Sequence, residues 1–168
     1  MIMIGVDPGQ TGGIAVIKYN NGYPVLLSVI DMPVVEVRNK KSLNAAEAHA
    51  YLSSYYPGAW ATVEEVSAMP KQGVSSTFQF GRMYGAIEGI LDLNADELIY
   101  AKPNKWKQFF GLRSIKGEAI DLAIEIFGPH TMFTRIGPRG GMVPGTDGCA
   151  EAALIALYGA KFVEKRNG

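Results

Sequence analysis

The sequence predicts an α/β fold, a five-stranded mixed sheet flanked by helices, in a single domain covering residues 1–168. Three observations carry this expectation. Apolar residues alternate with a period of two through the first thirty or so positions, as paired strands require. Later apolar residues recur at helical spacing, with short apolar strands between them. A chain of 168 residues with 48% apolar and 19% charged content can bury one substantial core but not two.

Ile2, Ile4 and Val6 alternate up to Asp7 and make the first strand. The run Pro8-Gly9-Gln10-Thr11-Gly12-Gly13 breaks the pattern, and Ile14-Ala15-Val16-Ile17 resumes it as the second. Asn20-Asn21-Gly22 carries the Asn-Gly pair of a tight hairpin and leads into a third strand at 24–30. Following one another directly, these three are expected to pair antiparallel. Residues 43–55 read as a helix, and 59–66 as a fourth strand ending in Glu64-Glu65. Over 75–91, Phe80, Tyr84, Ile87 and Leu91 define a long amphipathic helix. Leu98-Ile99-Tyr100 is the fifth strand. The remainder is helical, at 104–110, at 117–127 with Ile120, Ala123, Ile124 and Phe127 on one face, and at 147–163. This order places helices on the faces of a mixed sheet rather than in a bundle or a sandwich.

The N-terminus lacks the basic start and apolar stretch of an export signal, and no apolar run approaches the roughly 20 residues of a membrane span. A cytoplasmic protein without a membrane partner is expected. The one cysteine, Cys149, has no internal disulfide partner, and with two dispersed histidines it cannot build a Cys/His zinc site. Cys149 reads as a small buried filler, and His49 and His130 as structural residues. The net charge of zero conceals an uneven distribution. Between positions 101 and 117 lie Lys102, Lys105, Lys107, Arg113 and Lys116 with no acid among them, a surface suited to phosphates. Arg38, Lys40 and Lys41 form a second basic cluster, and Arg135 and Arg139 lie in a Gly/Pro-rich loop. Each cluster also reads as an ordinary solvated face. Trp106, Phe109 and Phe110 read as core.

The acids fall where chemistry collects. Asp7 ends the first strand and Glu64-Glu65 the fourth, and in an open sheet strand ends project side chains into a crevice. Asp147 and Glu151 are four residues apart, hence on one face of a helix that is otherwise apolar nearly all round. Several carboxylates in one pocket repel unless cations neutralise them. Oxygen donors without His or Cys select Mg²⁺ or Mn²⁺ over zinc. Two such ions about 4 Å apart activate a water and stabilise the leaving oxygen in phosphodiester hydrolysis. Singly, each acid has a plainer reading: Asp7 as the turn residue of an Asp-Pro-Gly corner, Asp147 as a helix N-cap, Glu151 as a surface acid near a helix start.

Ile4-Gly5-Val6-Asp7-Pro8-Gly9 followed by Thr11-Gly12-Gly13 resembles the first-strand motif of the RuvC-type Holliday junction resolvases. The segment from Val63-Glu64-Glu65-Val66 through Ser75-Ser76-Thr77-Phe78-Gln79-Phe80-Gly81 resembles the second motif of phage and prophage RuvC-like proteins, and Asp147-Gly148-Cys149-Ala150-Glu151-Ala152 their closing helix motif. The resemblance implies a ribonuclease-H-like fold and a metal-dependent nuclease acting on four-way DNA junctions. It implies Asp7, Glu64, Asp147 and Glu151 as catalytic metal ligands, with Glu64 rather than Glu65 because the family's glutamate directly follows an apolar strand residue. The bacterial resolvases place the last two acids three residues apart, whereas here the spacing is four and the second is Glu. The family aromatic after the second acid is absent near Ser67. Lys105, Lys107, Lys116 and Arg113 are the expected DNA contacts, and Gly9, Gly12 and Gly13 allow positive φ and close approach of a phosphate. A junction of near two-fold symmetry needs paired cuts, so a homodimer is expected, with the 75–91 helix as its seam.

Two alternatives share features of this pattern. The actin, sugar-kinase and chaperone ATPases open with a similar strand, Gly-x-Asp-x-Gly-x-Thr turn and second strand, but need a second lobe to close over a nucleotide. A same-fold nuclease acting on flaps, forks or R-loops would carry the same acids.

Overall fold

The structure is a computed structural model and describes residues 1–37, 39–67, 73–113, 115, 117–134 and 147–167. Its strands are β1 (Ile2–Asp7), β2 (Gly13–Asn20), β3 (Tyr23–Asp31), β4 (Val34–Val37), β5 (Lys40–Leu43), β6 (Ala59–Glu64) and β7 (Leu98–Ala101). Its helices are α1 (Ala45–Ser53), α2 (Val74–Asn94), α3 (Pro103–Phe109), α4 (Glu118–Phe127) and α5 (Asp147–Asn167). Arg38, Arg135, Arg139 and Lys116 lie outside the described residues, as do residues 68–72 of the second motif.

The five expected strands form one mixed sheet in the order β3-β2-β1-β6-β7. The first three are antiparallel, β2 and β3 being joined at Asn21 and Gly22, whose φ values of 46° and 89° are those of the Asn-Gly hairpin turn. β6 pairs parallel with β1, and β7 parallel with β6. Parallel pairing needs a crossover, which α2 supplies between β6 and β7.

Alternation along β1 assigns the two faces. Ile4 and Val6 pack with Ala61 and Val63 of β6 against Ala48 and Leu52 of α1 and Met83, Ile87 and Leu91 of α2. Met3 points the other way, toward Ala156 and Ala160 of α5. Gly5, also on that side, sits so close to α5 that a Cβ there would overlap the Ala152 carbonyl oxygen and the Ala156 nitrogen. The absent side chain lets α5 lie directly on the sheet. The run from Ala152 to Leu157 is buried all round because the sheet lies beneath it and α3 and α4 pack beside it. Among the described residues no helix is long and apolar enough to cross a membrane.

The β4–β5 hairpin lies in a stretch to which the sequence reading assigned no element, the last helix continues past Val163 to Asn167, and the helix expected from Leu43 begins at Ala45. Asn44 sets that boundary: its side-chain oxygen accepts the Glu47 N–H at 3.3 Å, an N-cap that frees residues 40–43 to pair with 34–37. On α2 the buried stripe is Gln79, Met83, Ile87 and Leu91, with Phe80 and Tyr84 on its flank. Gln79 is buried because its amide donates to the Lys41 carbonyl and the Ser42 hydroxyl, tying α2 to the hairpin.

Candidate active site

Sheet register brings the first acids together. Val6 pairs with Val63, so Asp7 and Glu64 are the next residues on adjacent parallel strands. Both belong to the α5 side, since Val6 and Val63 point to the opposite one. Glu64 is 8% exposed, whereas Glu65 points away and lies in solvent. Asp7 also serves its turn, its carboxylate accepting the Gly9 N–H at 3.2 Å.

The last acids arrive through helix packing. Gly148, in the first turn of α5, forms a bridge with Gly12, and a Cβ at Gly148 would overlap the Thr11 carbonyl oxygen. A Cβ on Gly13 would come within 3.0 Å of the Cys149 Cα. The start of α5 is thus pressed against the turn that follows Asp7, and Cys149 is the buried filler expected. Neither Gly9, Gly12 nor Gly13 adopts a positive φ; it is close approach that requires glycine at Gly12 and Gly13. One turn into α5, Glu151 faces Asp7 and Glu64, while Asp147 and Glu151 line a cleft with Lys107 and Glu118.

The electrostatics are those of crowded carboxylates. Burial, then the charge of Glu64, then that of Glu151, push the Asp7 carboxyl up to about 7. Glu64 is raised by burial and by Glu151, with Trp106 acting against the shift by hydrogen bonding. Two residues of α3 answer this charge. The Trp106 indole N–H donates to Glu64 Oε1 at 2.9 Å, and the Lys107 ammonium donates to Glu151 Oε1 at 2.9 Å. Burial pulls the Lys107 ammonium down, but its bond to Glu151 and the charges of Glu151, Glu64 and Asp7 outweigh this and hold it above the usual lysine range. α3 reaches these acids because β7 ends level with Glu64, which pairs with Ala101 two residues before the helix begins.

The expected DNA-contact residues separate. Lys105 is exposed, beside exposed Lys102. Lys107 turns inward to Glu151, and Arg113 is held by Glu118, whose Oε1 lies 2.7 Å from the guanidinium and whose Oε2 accepts the Arg113 backbone N–H. Lys116 lies outside the described residues. Trp106 is fully buried and Phe110 half-buried, as expected, but Phe109 is 42% exposed, packed edge-on against Phe110 and Tyr158. His130 accepts the Met132 N–H on Nδ1 and His49 lies in solvent.

The contributions of Trp106 and Lys107 to the site were missed in the sequence, where one read as core and the other as a phosphate contact. A signal was present: a tryptophan too buried to reach water needs an acceptor for its N–H. Among the described residues no group of three or more His, Cys, Asp or Glu side chains is gathered closely enough to hold a metal ion. The donor chemistry nevertheless fits a hard divalent cation, since Asp7, Glu64 and Glu151 repel one another and supply only oxygen.

No protein-family model matches the sequence, and no curated protein does. The fold does find relatives. Thermus thermophilus RuvC in complex with a Holliday junction substrate is similar with a TM-score of 0.65 at 18% identity, covering 98% of this chain and 96% of that one. A second Thermus thermophilus RuvC structure is similar at 0.60 and 17% identity, covering 97% of each chain. The yeast mitochondrial Holliday junction resolvase follows at 0.59 and 12% identity, covering 98% of this chain and 81% of that one. The chain has the ribonuclease-H-like fold of these RuvC-type proteins, as the resemblance implied.

Proposed function

We propose that the chain is a metal-dependent endonuclease that resolves four-way DNA junctions by paired phosphodiester hydrolysis. The observation that carries this reading is the convergence of Asp7, Glu64 and Glu151 at one end of a sheet whose fold is shared with Holliday junction resolvases. Asp7, Glu64, Asp147 and Glu151 would hold Mg²⁺, or Mn²⁺ in its place. When bound, such a cation supplies charge to activate a water and to steady the leaving oxygen.

The chain's own side chains do the rest. Asp7 is anchored by the Gly9 N–H and Glu64 by the Trp106 indole, so their carboxylates are held in place at adjacent strand ends. Lys107 neutralises part of the negative charge that would otherwise repel a phosphate. Lys102 and Lys105, exposed at the N-cap and in the first turn of α3, the helix that carries Trp106 and Lys107, suit contacts to the DNA backbone. Two sites are needed for two cuts, so the working form is a homodimer, with α2, which exposes Val74, Phe78 and Leu93, as its seam. A cytoplasmic location suits a chain with a single cysteine, Cys149, and so no internal disulfide.

The test is incubation with an end-labelled synthetic four-way junction, with Mg²⁺ or with EDTA, beside flap, fork and R-loop substrates. Symmetric nicks in the junction that need Mg²⁺ are expected. Cutting in EDTA would refute metal dependence, and nicks confined to flaps, forks or R-loops would reassign the substrate. Asp7→Asn should bind the junction in Ca²⁺ while failing to cut it in Mg²⁺.

A further inference from the structure

We infer that Trp106 is a positioning residue that sets the arrangement of Glu64 and Glu151 through one indole ring, and so tunes the affinity of this site for a divalent cation. The inference rests on the nuclease reading above for its chemistry, and on the contacts of Trp106 for its geometry.

Trp106 is fully buried among Ala101, Ala150 and Ala153 on the α5 side of the sheet. A filler of that volume could be any large apolar side chain. An indole adds a donor on its edge and an electron-rich face, and both are used. The edge N–H reaches Glu64 Oε1 at 2.9 Å. Above the face lies the Lys107 ammonium, 5.0 Å from the ring centroid, and the same ammonium holds Glu151. Edge and face together connect one carboxylate on β6 with one on α5, although neither belongs to α3. The contact also commits one oxygen of Glu64 and leaves Oε2 for a cation. Groups that hydrogen-bond a ligating side chain in this way orient it, and their loss typically lowers metal affinity about 10- to 100-fold.

Trp106→Phe keeps the ring face and most of the volume but deletes the donor. Phe133→Leu, in the same buried cluster, serves as a control for simple loss of packing. Mg²⁺ affinity is measured by calorimetry on the folded parent, on both variants and on Glu64→Gln. In parallel, the Trp106 indole resonance is followed by NMR in a Trp60→Phe background during Mg²⁺ and Mn²⁺ titrations. The expected result is Glu64-dependent binding in the parent, weakened about 10-fold or more by Trp106→Phe and unchanged by Phe133→Leu. The indole signal should shift with Mg²⁺ and broaden with Mn²⁺ at the same midpoint. Equal affinities in the parent and Trp106→Phe would overturn the inference, as would parent binding that is absent or indifferent to Glu64. Should Trp106→Phe fail to fold, an indole signal unmoved by saturating Mg²⁺ and Mn²⁺ overturns it on the parent side alone. Junction nicking by the parent is scored separately, so the nuclease reading and the role of Trp106 can fail independently.

Discussion

The Lys107 ammonium stands 2.9 Å from a Glu151 carboxylate oxygen and faces Asp7 and Glu64 as well, so a lysine supplies the positive charge at the centre of the acidic cluster. A divalent cation bound there would compete with it. Lys107→Met should therefore destabilise the metal-free protein by about 1–2 kcal/mol, because the pair is partly shielded, with side chains 31% and 21% exposed. Added Mg²⁺ should recover that loss and raise the melting temperature more than it does in the parent. Thermal denaturation in EDTA and in Mg²⁺ measures both, and a variant as stable as the parent in EDTA would show that the ammonium does not balance the acids.

Asp7 makes stability depend on pH in a direction opposite to that of an ordinary paired carboxylate. Its pKa is raised from 3.8 to about 7, so between those values the folded chain keeps a proton that the unfolded chain releases. Stability of the metal-free protein should fall as pH rises through this window and level off above it. Glu64, also raised, acts with the same sign. Asp7→Asn should flatten the profile and stabilise the protein at pH 8 by about 2 kcal/mol in EDTA. Denaturant unfolding at pH 5, 6.5 and 8 checks this, and a profile that rises across the window in the parent would contradict it.

Glu64 and Glu65 are neighbours with opposite fates. Glu64 is 8% exposed and bonded to Trp106, while Glu65 is turned to solvent with its backbone N–H on the Ala101 carbonyl. Glu64→Gln should lower the junction cleavage rate by about a thousandfold or more, by analogy with the loss of other transition-state-stabilising groups. Glu65→Gln should leave it within a factor of about two. Single-turnover rates on one junction decide between them, and the reverse ranking would place the site on the other face of the sheet.

Lys102 and Lys105 are exposed, whereas Lys107 and Arg113 are bonded to acids of the chain itself. Lys105→Glu should weaken junction binding and reduce the slope of log affinity against log salt by about one, the share of one phosphate contact. Arg113→Glu should change that slope less, because Glu118 already engages the guanidinium. Binding isotherms at several salt concentrations report both slopes. Equal effects at the two positions would mean that DNA displaces Glu118.

Much of the fold could be read from local pattern. Ile2, Ile4 and Val6 alternate because a strand presents successive side chains to opposite faces, and Asn21-Gly22 marks the hairpin because few residues accept positive φ. Asp7 and Glu64 were legible as strand-end acids for the same reason. The β4–β5 hairpin was not, since its strands are four residues each and Lys40-Lys41 interrupts the apolar pattern.

What the sequence determined alone was therefore the period of the five strands of the main sheet and of the helices, and that Asp7 and Glu64 lie at strand ends. Only the tertiary structure decided which ends meet. Nothing along the chain ties Gly5, Gly12 and Gly148 to one another, but together they let α5 lie in backbone contact with β1 and its turn, carrying Glu151 to Asp7. Trp106 and Lys107 join them because β7 pairs with β6 and delivers α3 level with Glu64. The reason is physical: periodicity records whether a side chain is buried, whereas a carboxylate's partner depends on sheet order and on how closely a helix can approach, which are set by residues distant in sequence.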